Sequence, residues 1–259
     1  MSKKTAYKGS GIGDVLRSAK AFAKNTVNKV QTKIENMIPS TTKYTNNAQD
    51  SINKYGKYQI IEIVATKTPV IGAVMALSNA LTLNELQVAM DREGIDTFYH
   101  MALRVKVLDQ SGNTITLLLE KNENINIRLF KQDDIGPKTT LLNIDLGVQK
   151  FTLSEGLERT RISIGNTAYF VYNALDSNCG DFVIAFLKAN FVFSNSYTLF
   201  LYQTDRKKRV IKMDNLKKHM SENSVKRMGI LTKMGAFVKG TLMGGSLNEN
   251  IADELVKFI

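Results

Sequence analysis

The stretch from Thr97 to Glu120 constrains the fold more than any other part of the chain. Thr97 to Leu108 alternates with a period of two. Phe98, His100 and Ala102 fall on one face, and Tyr99, Met101, Leu103, Val105 and Val107 on the other. Asp109-Gln-Ser-Gly-Asn113 then gathers turn-forming residues, and Thr114 to Glu120 returns as a second strand. Strands joined by so short a turn pair antiparallel. Ile125 to Phe130 continues the sheet as a third strand, and Tyr58 to Thr66, rich in Ile and Val, reads as another.

Helical pattern is interleaved with these strands. It runs from Pro69 to Glu93, where Thr82-Leu-Asn-Glu85 has the spacing of a capping box. Asp133 to Lys138 is a loop marked by Gly136-Pro137, and Ser154 to Arg161 is a shorter helical stretch. Mixed helix and sheet with antiparallel hairpins gives an α+β fold class.

The two ends differ from the middle. In the first forty residues, Lys3, Lys4, Lys8, Arg17, Lys20, Lys24, Lys29 and Lys33 face only Asp14 and Glu35. Ile12, Val15, Leu16, Ala19, Ala23, Val27, Val30, Ile34 and Ile38 recur at helical spacing, so residues 1–40 read as a basic amphipathic helix. Packing against the main domain, a lipid or membrane surface, and a polyanion such as nucleic acid all fit that helix. No nucleic-acid-binding motif accompanies it. Polar residues 41–57 read as a linker, 58–204 as the main domain, and 205–259 as a basic, mostly helical extension.

Lys and Arg number 35 against 24 Asp and Glu, a net charge of +11, which favours anionic partners. The longest apolar runs, such as Val70 to Leu77, are too short to span a bilayer, and Met-Ser-Lys-Lys does not resemble a secretory signal. The expectation is a soluble protein in a reducing compartment, since a single cysteine permits no intrachain disulfide. One Cys and two His give no zinc spacing, and no glycine motif cradles phosphate, so neither a metal nor another cofactor is expected.

The cysteine segment carries the chemistry. Asp176, Ser177 and Asn178 are all good N-caps, so a helix starts at or just before Cys179. Phe182, Val183, Phe186 and Leu187 line its buried face, and Asn190 ends it. A thiol on a first helical turn lies in the positive end of the helix dipole, which favours the thiolate. A nucleophile also needs a base, and His100 and His219 are the only imidazoles in the chain. A strand histidine facing a cysteine at a helix start is the papain-like arrangement, here with His before Cys. Taken singly, a lone cysteine also reads as a small buried hydrophobe, and a lone strand histidine as a structural residue.

Asn178-Cys179-x-x-Phe182 resembles the Asn-Cys-x-x-Phe motif of the lecithin–retinol acyltransferase-like (LRAT-like) group of permuted papain-fold proteins. A narrower set, encoded by large DNA viruses, related elements and some fungi, combines three motifs. They correspond here to Phe98-Tyr-His100-Met-Ala-Leu103, Leu119-Glu-Lys-Asn-Glu123 and Asn178-Cys-Gly-Asp-Phe182. The resemblance covers Tyr58 to Gly245. It implies a permuted papain-like domain in which Cys179 attacks an amide, ester or lipid acyl carbon and His100 moves the proton. Glu120 or Asn122 would orient His100, because the usual second histidine is absent. Gly180-Asp181 also stands where the acyltransferase motif usually has Glu-His.

A viral setting gives Leu242-Met-Gly244-Gly245-Ser246 a second meaning. It looks like the Gly-Gly sites cut by adenovirus-type maturation proteases, and also like a glycine turn after a helix ending near Lys239. Two functions follow from the resemblance. One is a viral cysteine hydrolase or acyltransferase. The other is a non-enzymatic minor virion protein that keeps the fold and has capsid proteins and a maturation protease as partners. The location implied is the virion or the host cytoplasm.

Overall fold

The computed structural model describes residues 43–70, 75, 78–79, 82–122 and 124–228. The expected basic helix of residues 1–40 and the Gly244-Gly245 site lie outside the described residues. All those described belong to one compact unit. It is an α+β fold on a five-stranded antiparallel sheet.

The chain enters through helix α1 (Asn46–Tyr55) and strand β1 (Gln59–Pro69). Helix α2 (Glu85–Glu93) follows, then β2 (Tyr99–Leu108), β3 (Thr114–Lys121) and β4 (Ile125–Leu129). Strand β5 (Thr140–Ile144) precedes α3 (Leu153–Phe170), which is interrupted at Gly165, and α4 (Cys179–Ala189). Two short helices follow, α5 (Thr198–Leu201) and α6 (Met213–Lys217). The strand order is β4-β3-β2-β1-β5.

The β2–β3 hairpin forms where the sequence places it. Asp109 N–H donates to the Asn113 carbonyl at 3.0 Å. The Asp109 carboxylate accepts the N–H groups of Ser111 and Asn113, each at 2.8 Å. Gly112 takes φ +84°, a left-handed backbone that a side chain would strain.

One face of the sheet buries Met101, Leu103, Val105 and Val107 of β2 with Leu117 and Leu119 of β3. Helix α4 covers this face with Phe182, Val183, Phe186 and Leu187, and packs in turn on α3. Each such side chain contributes about 1.5–3 kcal/mol on leaving water, so α4 is fixed on the sheet by its own apolar stripe.

Several expectations are corrected. The stretch read as a linker holds α1, whose Ala48 and Tyr55 are buried; Thr45 caps it by accepting the Ala48 N–H at 3.3 Å. Its apolar side is only Ala48, Ile52 and Tyr55, too narrow to stand out among polar neighbours. The capping box at Thr82 is replaced. The cap position is Asn84 at φ +64°, Thr82 Oγ1 donates to the Ser78 carbonyl at 2.8 Å, and Glu85 accepts from Ser221 instead.

The strand read as ending at Thr66 runs on to Pro69, and the helical stretch at Ser154 continues to Phe170. Residues 205–228, the described part of the basic helical extension, pack within the same unit. Leu216, Ser224, Arg227 and Met228 are buried, and α6 packs against α2. The sequence gives no sign of β5, an edge strand whose only buried residue is Ile144.

Candidate active site

Asn178 fixes where α4 begins. Its side-chain oxygen accepts the N–H groups of Gly180 and Asp181 at 2.8 and 3.1 Å, and the Asp181 carboxylate accepts the Asn178 N–H at 3.1 Å. This reciprocal box makes Cys179 the first helical residue, as the sequence predicts. A Cβ at Gly180 would stand 3.2 Å from Asn178 Oδ1, so a side chain there would crowd the cap oxygen.

The β2–β3 ladder ends at the pair Ala102 and Glu120. One residue beyond it, the Met101 N–H donates to the Cys179 sulfur at 3.4 Å. The Tyr172 hydroxyl approaches the same sulfur at 4.0 Å, and Cys179 is only 5% exposed. His100, on the neighbouring residue of β2, hydrogen-bonds the thiol.

His100 Nε2 lies 2.8 Å from Glu120 Oε2. With Nε2 engaged there, Nδ1 is the nitrogen left to face the sulfur. Were the ladder to continue, Asn122 would stand opposite His100. Glu120 is the diagonal neighbour instead, a span its longer side chain bridges. Asn122 lines the adjoining cavity. Glu120 is held by the Asn126 amide, which donates to Oε1 at 3.1 Å from the paired position on β4. The second imidazole, His219, sits elsewhere: its Nε2 meets Glu93 Oε1 at 3.0 Å.

Burial is the largest influence on the Cys179 thiol and pushes its pKa up. The His100 charge opposes this, with hydrogen bonds from His100, the Met101 N–H and Tyr172. Together they prevail, so the thiol lies below its ordinary value. Tyr172 moves the other way, raised well above its usual value by burial and by the neighbouring sulfur charge. Its hydroxyl therefore stays protonated and available as a donor.

Cys179 and His100 open onto a cavity of about 640 Å³ with a mostly apolar wall that includes Val70, Phe98, Leu175, Ile184, Leu201 and Ile211. Among the described residues, no group of three or more His, Cys, Asp or Glu side chains could hold a metal. No helix among them is long and apolar enough to cross a membrane.

Sequence reasoning singled out Cys179, His100 and Glu120, and the fold brings all three together. It missed Asn126 and Tyr172. The Asn126 contact requires the β3–β4 register, and Tyr172 reaches the sulfur through a loop that no periodicity describes. Comparison with family models, curated proteins and solved structures finds no match to this chain.

Proposed function

We propose that this protein is a cysteine hydrolase or acyltransferase of permuted papain-like architecture, acting on an amide, ester or lipid acyl group. The observation that carries the reading is the hydrogen-bonded line from Cys179 through His100 to Glu120, set at a helix N-terminus beside an apolar cavity. His100 takes the thiol proton, and the Cys179 thiolate attacks the acyl carbon to form a tetrahedral oxyanion. The leaving group departs with the His100 proton, which leaves a thioester on Cys179. Water or a second acceptor then attacks the thioester, gives its proton to His100 and releases the thiolate.

Glu120 orients His100 and stabilises its cation, and Asn126 holds Glu120 in turn. Because Asn178 engages the Gly180 and Asp181 N–H groups, the Cys179 N–H and the Tyr172 hydroxyl serve as oxyanion donors. The apolar wall suits an acyl chain or an apolar side chain.

Labelling of Cys179 by a thiol electrophile at neutral pH tests this reading. The wild type is expected to react at least about tenfold faster than a free thiol, and His100→Ala to lose that advantage. Labelling at the free-thiol rate in both proteins overturns the enzyme and leaves the particle-associated protein that merely keeps the fold. The viral setting belongs to the same proposal. The mass of the chain from its natural source reports cleavage after Gly245, and an intact Ile259 terminus removes the maturation site.

A further inference from the structure

Glu120 and Lys121 are adjacent on β3, so their side chains leave opposite faces of the sheet. Glu120 meets His100. Lys121 continues the face of Leu117 and Leu119 into the core and is 1% exposed. Its ammonium donates to the Ala168 carbonyl and, at 2.7 Å, to Ser177 Oγ. Ser177 Oγ also donates to the Ala168 carbonyl, at 2.6 Å. Ser177 lies two residues before Cys179, next to the cap that starts α4. Among the described residues, no carboxylate stands within ion-pair distance of this lysine.

A buried cation without a carboxylate partner costs stability that an apolar side chain of similar size would not. Its position ties the end of β3 to the last turn of α3 and to the residues that set the height of Cys179. We propose that Lys121 is a positioning residue for the nucleophile, so that β3 ends in a two-sided clamp, Glu120 holding the base and Lys121 the thiolate and its loop. This rests on the Cys179–His100 reading above.

Electrostatics agree with the geometry. Burial lowers the Lys121 pKa to about 8, while the charges of Asp181 and Cys179, both on α4, draw it back up. Coulomb attraction is mutual, so the ammonium favours the thiolate as the thiolate favours the ammonium. The influences named at the thiol itself are burial, the His100 charge and hydrogen bonds from His100, Met101 and Tyr172, and Asp181 is the nearby carboxylate that shares the Lys121 ammonium.

The test is the pH profile of Cys179 alkylation by iodoacetamide in the full chain, comparing wild type with Lys121→Met. The methionine keeps length and removes charge, and the Ser177–Ala168 bond remains. The expected result is a folded variant, melting no lower than wild type at pH 7. Its alkylation midpoint should rise by about one pH unit, an approximately tenfold slower reaction below the midpoint. A folded variant with an unchanged midpoint overturns the proposal. Should Lys121→Met fail to fold, Ser177→Ala takes its place. It breaks the link between ammonium and loop and is expected to move the midpoint upward, and an unchanged profile again refutes the clamp. If wild-type Cys179 reacts no faster than a free thiol, the underlying enzyme reading fails first, and the two failures are told apart.

Discussion

The buried ammonium of Lys121 should make the stability of this protein depend on pH in an unusual sense. An unfolded lysine titrates near 10.5, and burial brings Lys121 in the fold down to about 8. Below pH 8 the group is charged in both states, and the folded state bears the full burial cost. Above 10.5 it is neutral in both and the cost is gone. Between these limits the unfolded chain binds the extra proton, so the Lys121 contribution to stability rises with pH. At 1.36 kcal/mol per pH unit the whole effect is about 3 kcal/mol.

Replacing Lys121 with Met removes the titration, and the rise expected for Cys179 in the same variant acts in the same direction, because a less favoured thiolate adds less stability as pH rises. Lys67, lowered by burial, and Tyr44, Tyr169 and Tyr172, raised chiefly by burial, remain in both proteins and cancel. Urea unfolding at pH 7, 8, 9 and 10 gives the free energies. The advantage of Lys121→Met is expected to be greatest at pH 7 and to shrink by about 2–3 kcal/mol by pH 10. A difference constant across this range would refute the reasoning, because it would mean the ammonium is not desolvated in the fold.

Two further outcomes follow from the site and its support. Glu120→Gln keeps the shape of the residue but removes the charge that steadies a protonated His100. Acyl turnover on an activated ester should fall about 10²–10⁴-fold, with far-UV circular dichroism unchanged, and turnover within threefold of wild type would deny Glu120 its role. Phe182, 1% exposed between the rings of Tyr169 and Phe186 at 5.8 and 6.4 Å, anchors α4 to its neighbours. Phe182→Ala should cost about 3–5 kcal/mol in urea unfolding; a loss below about 1 kcal/mol would show that this core yields easily to a cavity.

What the sequence made legible is what local physics writes locally. The β2–β3 hairpin is announced by period-two alternation around a turn. The start of α4 is announced by three consecutive capping residues before an apolar stripe. Helix α1 is hidden because only Ala48, Ile52 and Tyr55 face inward, and β5 because Thr140, Leu141 and Asn143 are exposed and alternation is lost. Lys121 is the hardest case. A lysine at a strand end reads as a solvated residue, and only the close approach of Ala168 and Ser177 shows that it turns inward.

The choice between Glu120 and Asn122 required register. Their sequence spacing makes both eligible, and the point where pairing stops places Glu120 on the imidazole. The two departures from the acyltransferase pattern also acquire local explanations. Asp181, standing within the Gly180-Asp181 pair, closes the capping box that sets Cys179 on the first turn, and Gly180 keeps the Asn178 cap oxygen uncrowded. The side chain that meets His100 from the next strand is the Glu120 carboxylate, itself held by Asn126. A carboxylate so placed favours the protonated imidazole more strongly than a neutral ring would, and the protonated imidazole is the state that lowers the pKa of the buried thiol. A carboxylate at this position is therefore compatible with the proposed thiol chemistry. In this geometry Glu120 strengthens the thiolate–imidazolium pair on which the proposed nucleophile depends.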